Sequence, residues 1–186
     1  IRFKWGVLWD WPVYRDGPEF AATFGHVLKF NPQLIRLGKA AHAKMAAFAR
    51  GQGTADGTFL GAHLRTENDA LGFWPHYETQ AKAYLDRARS RGYRTAYLAT
   101  GNATEAARFA RRAEAELGMR VVGKQDLLQG DELDELNALT WDQQALVDLV
   151  VLLACDFFVG PMPSSFSTYG TLKRHLKRDG LYYRPY

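Results

Sequence analysis

Apolar positions along this chain alternate between two spacings. Leu34, Leu37, Ala41, Met45 and Phe48 recur every three or four residues, which marks one face of a helix. Asn31-Pro32 precedes them, a cap followed by a proline suited to the first turn. We therefore expect a helix from Asn31 to about Arg50. Thr58–Leu64 is short and apolar, the pattern of a buried strand. The same exchange of periods then repeats. Pro75 to Arg91 reads as a helix with Tyr77, Ala81, Tyr84, Leu85 and Ala88 on one side and Gly92 as its stop. Arg94–Thr100 reads as a strand, and Ala103 to Leu117 as a helix capped by Asn102. Met119–Val122 is a third strand, Trp141 to Ala154 a helix capped by Thr140, Asp156–Val159 a fourth strand, and Phe166 to Lys177 a last helix. Gly123 to Thr140 is polar and acidic, and there we expect a short helical turn at most.

This alternation predicts an α/β fold, a three-layer Rossmann-like parallel sheet with helices on both faces. It spans residues 31–180, with 181–186 as a tail that is either a small edge strand or loose. Residues 1–30 hold Trp5, Trp9, Trp11, Tyr14, Phe20, Phe24 and Phe30, interrupted by Pro12, Gly17 and Pro18. They read as a connector or arm whose aromatics cover either this domain's own core or a further domain. In sheets of this kind ligands lie at the carboxyl ends of the strands.

Composition narrows the picture. The chain has 186 residues, 47% hydrophobic and 24% charged, enough for one domain with its own core and unlike a disordered chain. One cysteine, Cys155, excludes an internal disulfide. A net charge of +4 admits an anionic ligand and is too small to indicate nucleic acid. No apolar run approaches 18 residues, the length of a membrane span. The chain begins at Ile1 rather than Met, from which we expect sequence removed upstream. Asn102-Ala103-Thr104 is a formal glycosylation sequon, a weak pointer to a secretory location.

Two polar clusters follow buried strands. His63, Arg65, Glu67 and Asp69 end the first strand, and alternation places the first three on one side. Ser164, Ser165 and Ser167 straddle the start of the last helix, where free N–H groups and hydroxyls make an anion cradle. An arginine nearby supplies a bidentate partner, and together these describe a diphosphate site. Thr100 and Gly101, at another strand end, can face the same crevice. Each piece also has a plainer reading: a structural histidine, a surface ion pair between Arg65 and Glu67 or Asp69, serines that only cap a helix. The five histidines show no metal-ligand spacing, so we expect no metal. No Gly-x-Ser-x-Gly elbow and no Gly-x-Gly-x-x-Gly after the first strand occur. Gly51–Gly57 is glycine-rich but follows a helix and precedes a strand, the wrong order for a phosphate loop.

His63-Leu64-Arg65 with Glu67 and Asp69, then Tyr97-Leu98-Ala99-Thr100-Gly101, then Ala145-Leu146-Val147-Asp148, Asp156-Phe157-Phe158-Val159-Gly160 and Ser164-Ser165-Phe166-Ser167 resemble the GDP-fucose protein O-fucosyltransferase-like superfamily, with a flavour of its fungal and plant members. The likeness covers roughly residues 26–178. It implies the C-terminal, donor-binding half of an inverting GT-B glycosyltransferase of the secretory pathway, using GDP-fucose and no metal. His63 and Arg65 would then face the nucleotide sugar, with Arg65 neutralising the β-phosphate. Ser164, Ser165 and Phe166 would hold the diphosphate, and Asp156 the guanine or its support. Glu67 is a nominal base for an acceptor hydroxyl, and Asp148 a buried support. The family's N-terminal half is absent from this sequence, so a second body packing on residues 1–30 is expected. The alternative is a non-catalytic binding or interaction module that kept the fold.

Overall fold

The computed structural model describes residues 29–67, 74–161 and 164–175. The expected aromatic arm and the tail therefore lie almost wholly outside the described residues, as does Asp69. Helix α1 (Pro32–Gly51) opens under Asn31, whose side chain accepts the Gln33 N–H at 2.9 Å. Then come β1 (Leu60–His63), α2 (Tyr77–Arg91), β2 (Thr95–Ala99), α3 (Ala103–Leu117) and β3 (Arg120–Val122). Short helices α4 (Lys124–Leu127) and α5 (Asp131–Asn137) precede α6 (Trp141–Ala154), β4 (Phe157–Val159) and α7 (Ser165–His175). Gly92 and Gly118, at φ of 70° and 62°, end α2 and α3 in the left-handed conformation that glycine adopts most cheaply.

All four strands are parallel, in the order β3-β2-β1-β4, so the α/β three-layer expectation holds. Residue alternation sorts the side chains of β1 and β2. Leu60, Ala62, Ala96 and Leu98 pack under α2 and α3 with Tyr84, Leu85 and Phe109. Tyr97 and Ala99 pack under α1 and α6 with Leu37, Met45, Val147 and Val151. Gly61 lets α6 come close on that second face: a Cβ there would sit 2.5 Å from Cys155 Sγ. Both faces are covered, which is why the central strands read as continuous apolar runs.

The topology turns at β1. From β1 the chain steps outward to β2 and β3, then crosses the sheet to put β4 on the other side of β1. The carboxyl ends of β1 and β4 thus flank a switch point, the crevice in which such sheets hold ligands.

One expectation is corrected. Residues 123–140 form two helices rather than a single turn at most. The Asp126 carboxylate accepts the Gly123 N–H at 2.7 Å and so starts α4. Three acids in the first turn of α5 complement its N-terminal dipole. Leu127, Leu128 and Leu136 are buried against α1 and α6. The acids that made the segment look solvated occupy the outer side of an amphipathic pair.

Candidate functional site

The carboxyl end of β1 is held by side chains from α2. Gln80 is buried on the inner face of that helix. Its amide oxygen accepts the Arg65 N–H at 3.0 Å, and its NH2 group donates to the Arg65 carbonyl at 2.8 Å and to Pro75 O at 2.6 Å. This two-point clamp engages both backbone polar groups of Arg65, just beyond the end of β1. Tyr84 Oη donates to the His63 carbonyl at 2.7 Å. A buried glutamine inside an apolar helical stripe (Tyr77, Ala81, Tyr84) was the signal in the sequence for this support.

On that fixed strand end, the first motif meets the last. His63 Nδ1 and Ser167 Oγ are 2.8 Å apart across the switch point, although 104 residues separate them in the chain. The Phe166 ring packs on the imidazole, with centroids 4.6 Å apart. His63 is 8% exposed. Burial pushes its pKa down to about 4; the Glu67 charge opposes this and the Arg65 charge adds to it. At neutral pH the imidazole is therefore uncharged and acts through hydrogen bonds rather than as a cation. Among the described residues its Nε2 has no hydrogen-bond partner.

Arg65 and Glu67 form an ion pair of 2.5 Å, each side chain about 15% exposed. Glu67 Oε1 also accepts the Gly101 N–H at 2.7 Å, with Thr100 Oγ1 at 3.4 Å. Burial alone would raise the Glu67 pKa, but the Arg65 hydrogen bond, the Gly101 N–H and the Arg65 charge together hold it below the usual carboxylate range. Glu67 thus ties the end of β1 to the end of β2. Gly101 lets two side chains come close: a Cβ there would lie 2.6 Å from Trp141 Nε1 and 3.1 Å from Glu67 Oε1. Asn102 caps α3 by accepting the Glu105 N–H at 3.1 Å, and its amide nitrogen donates to Thr66 O at 3.4 Å. The sequon asparagine is thereby built into the rim of the site.

The serine loop divides its work. Ser164 is buried, and its Oγ accepts the Ser167 N–H at 3.4 Å, the geometry of a helix cap. Ser165 is exposed at the first helical residue of α7. The helix N-terminus carries partial positive charge and N–H groups toward the crevice. Beside Arg65, between the starts of α2 and α3, lies a cavity of about 270 Å³ lined by Thr66, Trp74, Tyr77, Glu105 and Arg108 among others. Arg108 stacks on the Tyr77 ring at 3.9 Å. Among the described residues, the hydroxyls of Thr66 and Tyr77 have no hydrogen-bond partner.

The structure thus brings His63, Arg65, Glu67, Thr100, Gly101, Ser164, Ser165 and Phe166 to one end of the sheet. It does not bring Asp156 there. Asp156 precedes β4, at the amino end, where it accepts a hydrogen bond from Tyr93 Oη. Asp148 is buried beneath the site. It accepts from Tyr97 Oη at 2.6 Å and from Lys124 Nζ at 2.7 Å.

A family profile described as GDP-fucose protein O-fucosyltransferase matches residues 16–177. The chain belongs to this family. No curated protein sequence matches it. Among solved structures, this O-fucosyltransferase-family chain is similar to POFUT1 in complex with GDP, at 12% identity and a TM-score of 0.58, over 88% of this chain and 49% of that one. POFUT1 in complex with GDP-fucose gives the same identity and TM-score over 48% of its length. The apo form gives 14% and 0.53 over 47%. The likeness shows a shared fold, and the chain spans about half the length of POFUT1.

Proposed function

We propose that this chain binds the donor of an inverting O-fucosyl transfer, a guanosine-diphosphate sugar with GDP-fucose as the first candidate. The diphosphate lies at the switch point between β1 and β4. Arg65 meets it from one side and the N-terminus of α7, with Ser165 exposed there, from the other. The observation that carries this reading is the His63–Ser167 hydrogen bond. It joins the His-x-Arg motif to the serine loop, which supports an arginine, a neutral imidazole and a helix start acting on one ligand. The matching family and the GDP and GDP-fucose complexes of POFUT1 support the choice of ligand.

In the transfer, the bond from the sugar's anomeric carbon to the β-phosphate oxygen breaks as an acceptor oxygen attacks from the opposite face. The electron pair leaves with the diphosphate. Arg65 is placed to stabilise the charge that develops there, an interaction stronger in the transition state than in the bound donor. The sugar is directed into the cavity that Arg65 borders. Glu67 is a positioning residue rather than the base: both its oxygens are engaged and its pKa is lowered, which makes it a poor proton acceptor. The acceptor and its base belong to the remainder of a full-length enzyme, a second body for which residues 1–30 are the proposed contact. The compartment we propose is the secretory pathway, on family grounds.

That commitment of Glu67 also favours a second reading, in which the chain binds nucleotide without transferring sugar. Calorimetric titration of GDP, GDP-fucose and UDP-sugars into the wild type and Arg65→Ala tests the first part. Guanosine diphosphates should bind, with a loss of about tenfold or more without the arginine, equivalent to ~1.5 kcal/mol or more for a charge-assisted contact. Absence of binding at millimolar concentration defeats the donor reading. Release of GDP from GDP-fucose then separates an enzyme from a binding module.

A further inference from the structure

Trp141 is the one large hydrophobic residue exposed among the described residues, at 57%. It stands at the first residue of α6, at the carboxyl end of the sheet. Its position is fixed by a reciprocal cap: Thr140 N–H donates to Gln143 Oε1 at 2.9 Å, and Gln143 N–H donates to Thr140 Oγ1 at 3.4 Å. The indole edge lies against Gly101, where a Cβ would come within 2.6 Å of its Nε1 and would have to displace the ring. The Trp141 side chain makes no hydrogen bond among the described residues. An aromatic side chain this exposed, held on a rigid helix start beside the Arg65–Glu67 pair, has no packing role among the described residues that accounts for it.

Its distance from the diphosphate crevice suggests what it holds. The start of α7 follows β4, and Trp141 lies over the residue that follows β2, with β1 between them. That offset is about two strand spacings, roughly 10 Å. It matches the reach of a nucleoside diphosphate from its terminal phosphate, across the ribose, to its base. The sugar on the donor's other end cannot be the occupant, because it is attached directly to the β-phosphate. Helices α6 and α7 also cover the same face of the sheet, so both start on the same side of the crevice.

We propose that the indole of Trp141 is the platform on which the donor's nucleobase stacks. The proposal rests on the donor-site reading above and adds the residue that receives the base. Stacking on an aromatic ring is tolerant of base identity, so Trp141 supplies affinity while base choice lies elsewhere.

The test titrates GDP, ADP and inorganic pyrophosphate into the wild-type chain, Trp141→Ala and Trp141→Phe. The alanine variant is expected to bind GDP and ADP about five- to a hundredfold more weakly. Pyrophosphate affinity should stay within about twofold, because the diphosphate cradle is untouched. The phenylalanine variant should recover most of the loss. Unchanged GDP affinity in Trp141→Ala overturns the platform and leaves the donor site standing. A parallel loss of GDP and pyrophosphate also overturns it, since the indole would then only be propping Gly101 and Glu67. If neither GDP nor pyrophosphate binds the wild type, the donor reading itself fails and takes the platform with it.

Discussion

The Lys124–Asp148 pair and the Arg65–Glu67 pair have similar N–O separations, 2.7 and 2.5 Å, in opposite surroundings. Asp148 is closed in on every side. One oxygen takes the Lys124 ammonium and the other the Tyr97 hydroxyl, and the ion-paired side chains are only 6–7% exposed. Burial pushes the Asp148 pKa up, and Lys124 and Tyr97 partly offset that. Glu67 sits instead at a rim. Its partners are an arginine that borders a cavity and the N–H of a loop glycine. The first pair is closed off from solvent by its own fold. The second holds a guanidinium at the mouth of a crevice. Both pairs are acids and bases in hydrogen-bond contact, so only their surroundings separate structural support from candidate chemistry.

The largest expected effect lies at the closed pair. Lys124→Ala leaves a buried carboxylate without its counter-ion and should cost about 3–5 kcal/mol in chemical denaturation. A loss below ~1 kcal/mol would show that water reaches Asp148 and that the two pairs are less different than their geometry.

The next effect belongs to His63. Its folded-state pKa is about 4, below the ordinary 6.5, because burial disfavours the charged ring. The unfolded chain therefore binds the proton more readily. This contribution to stability is fully present above pH 6.5 and is lost as pH falls through 4, for a total of about 3 kcal/mol. The lowered carboxyl of Glu67 acts in the same direction at lower pH, while the raised carboxyl of Asp148 acts in the opposite one. Thermal unfolding of wild type and His63→Asn across pH 4–7 isolates the histidine. The variant's curve should be the flatter of the two, and parallel curves would place a charged imidazole in the fold.

The smallest effect is Glu67→Gln. The pair is only 15–16% exposed. The amide keeps the shape and an oxygen to accept hydrogen bonds, so the cost should stay at about 1 kcal/mol, and the melting temperature should move by a few degrees at most. A loss comparable to that of Lys124→Ala would make Glu67 a core residue and erase the contrast.

Much of this architecture was readable from residue patterns, because its signals are local. Asn31, Asn102 and Thr140 announce their helices by capping chemistry that needs only the next three residues. The exchange between helical and strand periods predicted the parallel sheet, and the strand-end positions of His63 and Arg65 followed from it. Contacts formed at a distance left fainter signs. The order of strands, which sends β4 back beside β1, decides that His63 meets Ser167, whereas Asp156 falls at the far end simply because it starts a parallel strand. Gln80 was visible only as a polar residue in an apolar stripe. The helices at 124–137 were hidden because charge count outweighed four leucines. Nothing near Trp141 in the chain hints at Gly101, which lies 40 residues away.

At the other end of the sheet, Arg174 donates to the carbonyls of Leu152, Leu153, Cys155 and Asp156 at 2.7–3.2 Å. It closes the C-terminus of α6 over Cys155, the chain's only thiol. That sulfur is fully buried and walled by the backbone at Gly61. No alkylating reagent can reach it while the sheet, α6 and α7 stay together. The molecule therefore carries its own clock: the rate at which a maleimide marks this one sulfur reports how readily the packing of α6 and α7 on the sheet opens.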